Sequence, residues 1–141
     1  MDYGDPAHFL TWHRLYSHQM EWALQEHDSS FTLPYWDWVA SNTLPSLATS
    51  GPWLSGPVHP SLSSACGGSV TQRSFSGFSS TSLGNQVQIA LANTDLLTFS
   101  LQLNSPHGAI HVAIGCDMQT VGIAAYDPIF HLHHAYIDYL F

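Results

Sequence analysis

A mainly helical fold, an incomplete four-helix bundle with long irregular loops, is what this sequence predicts. Three observations predict it. Apolar residues recur at helical spacing between Pro6 and His27, among them Trp12, Leu15, Tyr16, Met20, Ala23 and Leu24. His107 and His111 stand four apart, so they share one face of a helix. Asp127-Pro128 opens a last apolar run, DPIFHLHHAYID, that reaches the chain end as a helix.

The elements follow in order. In the first helix Pro6 suits the first turn, Asp5 the cap, and Asp28-Ser29-Ser30 the end. The aromatic stretch Phe31 to Val39 carries Pro34, which predicts a short extended segment packed on that helix. From Ser41 to Gly84 the chain is rich in Ser, Gly and Pro without sustained periodicity, which predicts a long surface loop. Gln86 to Asn93 and Thr94 to Leu103 are two helical stretches. Pro106 then starts a new helix closed by Gly115. A loop to Tyr126 precedes the last helix, capped by Asp127.

Composition narrows the function classes. At 141 residues the chain is one domain, and 45% apolar residues allow a real core. A net charge of −8, with two arginines and no lysine, argues against nucleic acid and anionic membranes as partners. No stretch is long enough to span a membrane, and no signal peptide is visible. Cys66 and Cys116 lack the spacing of a zinc ribbon or a thioredoxin motif; they could pair as a disulfide. Ten histidines are far above ordinary usage, and histidine is the commonest metal ligand.

The histidines are also placed for metal binding. His107 and His111 from one helix and His134 from the next can aim three imidazoles at one point. Di-iron bundles need glutamates, and there is none after Glu26. A set of imidazoles without carboxylates points to copper or zinc. If the first helix packs against the C-terminal pair, His13 faces the same point, and two metal ions share a pocket between helices.

These residues carry a family resemblance. Phe9, Trp12-His13-Arg14 and Glu21 match the first copper motif of the type-3 copper proteins: tyrosinases, catechol oxidases and molluscan-type haemocyanins. Asp127, Pro128, Phe130, His134 and Asp138 match the second, with His107 and His111 as its paired histidines. The run Pro34 to Trp38, PYWDW, is typical too. Three motifs in family order are specific where one would not be.

The resemblance implies a tyrosinase-like copper-binding domain over residues 1–141, truncated at both ends, built around a dinuclear copper site. It implies copper as cofactor, two ions, with His13, His107, His111 and His134 as ligands. The family has a histidine four or five residues before the phenylalanine of the first motif. Those positions hold Gly4 and Tyr3, leaving His8 as the imidazole that could substitute. His133 is expected to be a packing neighbour rather than a ligand, His131 a pocket-lining or surface residue, and His18, His27 and His59 solvated. Arg14 should pair with Asp138 or Glu21. No Cys-x-His spacing suits a thioether bridge.

The implied function is oxidation of small phenols, chiefly o-diphenols to o-quinones, with dioxygen. Gly108 after His107, and no carboxylate in Leu103 to Ser105, lean away from monophenol hydroxylation. The alternatives are a haemocyanin-type oxygen-binding unit and a non-catalytic remnant with only the second half-site intact. The family resemblance also suggests an extracellular setting.

Overall fold

The computed structural model describes residues 6–50 and 53–141, without the side chains of Pro6 and Ala7. Tyr3, Gly4 and the expected cap Asp5 lie outside the described residues. The elements are α1 (Pro6–Gln25), α2 (Ser46–Ser50), α3 (Ser80–Leu91), α4 (Leu96–Ile114) and α5 (Ile129–Leu140), with 3₁₀ turns at Cys116–Gln119 and Ala124–Tyr126. Among the described residues there is no strand beyond an isolated bridge between Pro57 and Val70. The fold is mainly helical, as the periodicity predicts.

Helix α1 packs against both α4 and α5, and α3 packs on α4. The inward stripe of α1 is Phe9, His13, Tyr16, Met20 and Leu24, buried or half-buried, while Leu15 is exposed. The helix stops at Gln25, where the Leu24 carbonyl accepts both the His27 and Asp28 amides.

Helix α4 corrects the expected break at Pro106, which lies inside one continuous helix. Proline removes an amide donor and costs about 3 kcal/mol in a helix interior. The buried stripe Phe99, Leu103, Pro106, Ile110 and Ile114 runs through the proline, with Leu103, Ile110 and Ile114 fully buried. Burying three such side chains contributes roughly 5–9 kcal/mol, more than the proline costs. Asp95 caps the start, its carboxylate accepting the Thr98 amide at 2.8 Å. Gly115 ends the helix at φ +76°, a conformation that favours glycine.

Helix α3 begins at Ser80, inside the stretch expected to be loop. The Ser79 hydroxyl accepts the Ser82 amide, and Leu83, Val87 and Ala90 are buried. Other described residues of that stretch are tied to the helices. The Arg73 guanidinium donates to both Asp127 carboxylate oxygens and to the carbonyls of Ala48 and Trp53. Asp127 is fully buried, and its Oδ1 also accepts the Ile129 amide at 3.1 Å, so it caps α5 as expected. Cys66 and Cys116 form a disulfide. A Cβ on Gly56 would overlap the Tyr126 carbonyl oxygen, so only glycine fits there. The PYWDW segment lies on α5: the Trp36 amide donates to the Leu132 carbonyl at 3.0 Å, and Trp38 is fully buried.

Candidate metal centre

Helix α4 carries His107 and His111 one turn apart, and α5 brings His134 opposite them. Their Nε2 atoms form a triangle: 3.0 Å between His107 and His111, 3.2 Å between His111 and His134, and 3.4 Å between His107 and His134. A triangle with those sides has a circumradius of about 1.9 Å, just inside the ~2.0–2.1 Å of a metal–imidazole bond. The three nitrogens are close enough together that they could hold one ion.

The opposite ring nitrogens explain why lone pairs face inward. His111 Nδ1 donates to the Met118 carbonyl at 2.7 Å, and His107 Nδ1 donates to Asn104 Oδ1 at 3.1 Å. On α1, His13 Nδ1 donates to the Phe9 carbonyl at 2.7 Å. An oxygen acceptor at Nδ1 keeps the proton there and leaves Nε2 as a ligand atom. Burial, first of all, lowers the pKa of His107, His133 and His134 well below the usual 6.5; the neighbouring imidazoles lower it further. His111 is lowered for the same reason, partly offset by the Met118 carbonyl. The rings are therefore neutral near pH 7, the form that binds metal.

His133 joins this group. One ring nitrogen from each of His107, His111, His133 and His134 lies within 4.8 Å of the others. Its ring is parallel to that of His107, 8° between planes and 5.1 Å between centroids. Trp38 Nε1 donates to its Nδ1 at 3.1 Å. The sequence pattern placed His133 as a neighbour but held no signal for this partner, 95 residues away.

His13 faces the same space from α1. Its ring stacks on His134 at 4.1 Å with 9° between planes, and lies 6.0 Å from His107. His13 is not among the four histidines whose ring nitrogens lie within 4.8 Å of one another. Burial lowers its pKa to about 4. His8 does not join. It is exposed on α1, one residue before the buried Phe9, and each residue turns the helix by about 100°. His13 stands five positions further on, which sets the two on different faces.

The other expected roles divide. Arg14 Nε donates to Asp138 across α1 and α5, and the guanidinium lies over Phe141, 4.1 Å from the ring centroid. Glu21 instead accepts the Leu33 amide at 2.7 Å. His131 is not at the surface: it is buried, 5.6 Å from the Tyr16 ring, and lines an apolar groove outside the histidine cluster. His18, His27 and His59 are exposed.

A cavity of about 450 Å³ opens beside the triangle. Phe9, Trp12, Val112 and Phe130 give it apolar walls, and Gly108 leaves one side without a side chain.

Comparisons with known proteins agree with this chemistry. The family model "Tyrosinase: Common central domain of tyrosinase" matches residues 5–94 and 60–141. The chain is 36% identical over 148 residues to the Helix pomatia protein "Hemocyanin, beta-C chain unit G", covering 94% of this chain and 35% of that one. It is 34% identical to "Hemocyanin A-type, units Ode to Odg" of Enteroctopus dofleini, covering 95% of this chain and 13% of that one. It is 33% identical to "Hemocyanin 1" of Megathura crenulata, covering 96% of this chain and 4% of that one. The chain thus spans about a third or less of the length of these relatives. Copper is the metal of the family, and the four-histidine group suits it. The chain belongs to the tyrosinase family of type-3 copper proteins.

Proposed function

We propose that this chain is a copper-binding domain over residues 1–141 whose site binds dioxygen in the manner of the haemocyanins it resembles. His107, His111 and His134 hold one copper ion, and His13 contributes to a second. The Nε2 triangle is the observation that carries this reading. Copper, when bound, supplies the redox couple that dioxygen chemistry needs. The chain's own residues do the rest. Met118 and Asn104 orient two imidazoles, Phe9 orients His13, and Phe9, Phe130 and Trp12 exclude water from the metal-facing nitrogens.

Oxidation of o-diphenols to o-quinones is the second reading, and one observation favours it. The cavity beside His107 is large enough for a phenol ring, and its wall is open at Gly108. The motifs alone put this reading first. The relatives reverse the order, since those reported above carry the name haemocyanin. A disulfide fits an oxidising, extracellular setting for either.

Copper-loaded protein exposed to oxygen and then to vacuum tests the choice. An absorption band that comes and goes with oxygen, without catechol turnover, supports the carrier. Sustained quinone formation supports the oxidase. No oxygen-dependent band at all sinks both and leaves a remnant with an incomplete site.

A further inference from the structure

Trp38 and His133 are both fully buried, and the indole Nε1 lies 3.1 Å from the imidazole Nδ1. Resting on the copper reading above, we propose that Trp38 is a positioning residue: by donating to Nδ1 it holds His133 in the tautomer that cannot bind metal, and so keeps a fourth imidazole out of the ligand set.

An indole nitrogen can only donate. The Nδ1 of His133 must therefore accept, and it carries no proton. A neutral imidazole has a single ring proton, so that proton sits on Nε2. His133 then has no lone pair left for a metal: one is engaged by Trp38 and the other nitrogen is protonated. His13, His107 and His111 are arranged the opposite way. Each has an oxygen acceptor at Nδ1 and a bare Nε2. These three rings and His133 are thus sorted into two tautomers by what touches each from behind, while His134 Nδ1 is buried without a hydrogen-bond partner.

The sorting matters because His133 is close enough to compete. It belongs to the group whose ring nitrogens lie within 4.8 Å of one another. Four protein ligands make a closed, structural type of site, whereas three leave a position for an exogenous molecule. The buried Nε2 has no acceptor at full hydrogen-bond geometry among the described residues, although the His107 backbone also favours a proton on this ring. The Trp38 hydrogen bond is the contact that keeps that proton off Nδ1. Tryptophan at this place in PYWDW fills the core and also keeps the metal site open.

Nitrogen NMR of protein labelled with 15N-histidine tests this, with His133 assigned by the signal lost in His133→Gln. In metal-free protein His133 is expected as the Nε2–H tautomer, and His107 and His111 as Nδ1–H. On adding copper(I) without oxygen, the Nε2 signals of His107, His111 and His134 should show the shift of coordination, and His133 should show none. In Trp38→Phe nothing holds the proton off Nδ1, so His133 is expected to show a mixture of both tautomers, and copper(I) should then shift a fourth Nε2. A Nδ1–H tautomer for His133 in the unsubstituted protein overturns the proposal, as does a coordination shift there. If Trp38→Phe does not fold, those two readings still decide. A Trp38→Phe protein that keeps the Nε2–H tautomer alone overturns the role of Trp38. Failure of the copper reading itself looks different: none of His107, His111 and His134 would shift, whatever the tautomer of His133.

Discussion

The carbonyl oxygen of Met118 lies 2.7 Å from Nδ1 of His111, and this contact links the metal centre to the Ser- and Gly-rich loop. Met118 follows Cys116, which is bonded to Cys66, and Asp117, which is fully buried. The Asp117 carboxylate accepts from the Ser64 hydroxyl, the Ala65 amide and the Gln72 amide. The 3₁₀ turn that aims His111 is therefore fastened to the loop at two consecutive residues. Asp117→Ala leaves the Ala65 and Gln72 amides without their acceptor. It should cost about 3 kcal/mol or more of stability. Copper(I) affinity should fall roughly 10-fold as His111 loses its orientation. Urea unfolding and a copper(I) competition titration measure the two effects.

The disulfide is expected to act mainly on stability. Replacing Cys66 and Cys116 together by alanine should lower it by about 2–4 kcal/mol. Copper(I) affinity should drop less than in Asp117→Ala, because the carboxylate still holds the turn. An affinity loss larger than that of Asp117→Ala, in the same competition titration, would show that the disulfide is what orients the turn.

Arg73 and Asp127 form a largely buried ion pair. Removing one partner, by Arg73→Met or Asp127→Asn, leaves the other with unmet hydrogen bonds in the interior. Each single change should cost about 3–5 kcal/mol, and the double change less than the sum. Chemical denaturation of the three variants forms the cycle that checks this. Strict additivity would mean that the two residues contribute independently.

His131 should make the fold acid-sensitive. Burial lowers its pKa from 6.5 to about 4, so it is neutral when folded, while the unfolded chain takes up a proton at higher pH. Between those two values the unfolded state binds more protons, and stability falls as pH falls through the window from 6.5 to about 4. The loss is on the order of 3 kcal/mol for this group. His131→Leu keeps the site apolar and removes the titration. Its urea midpoint should change less between pH 7 and pH 4.5 than that of the unsubstituted protein.

Much of this arrangement was legible in the sequence where the cause is local. The spacing of His107 and His111 and the Asp127-Pro128 start of α5 are short-range signals, and both stand. The face of α1 that carries His13 follows from periodicity. What sequence reading missed depends on partners distant in the chain. Pro106 sits inside α4 because Leu103, Ile110 and Ile114 are buried on both sides of it. Described residues of the loop are fastened to the helices where Arg73 meets Asp127 and Asp117 meets Ser64 and Gln72, pairings that no local pattern shows. The sequence left open whether His8 substitutes for the missing histidine; the structure places it exposed on α1. For His131 the sequence left pocket-lining and surface positions open, and packing beside Tyr16 and Phe130 makes it a buried, groove-lining residue.

The central claim is that His107, His111 and His134 hold a copper ion through Nε2. Copper(I) affinity of the purified chain, compared with His134→Ala and His8→Ala, tests it most directly. The account predicts a loss of at least about 100-fold in His134→Ala, the removal of one of three ligands being more severe than loss of an orienting contact. It predicts no change in His8→Ala. Copper(I) bound as tightly by His134→Ala as by the unsubstituted chain would contradict it.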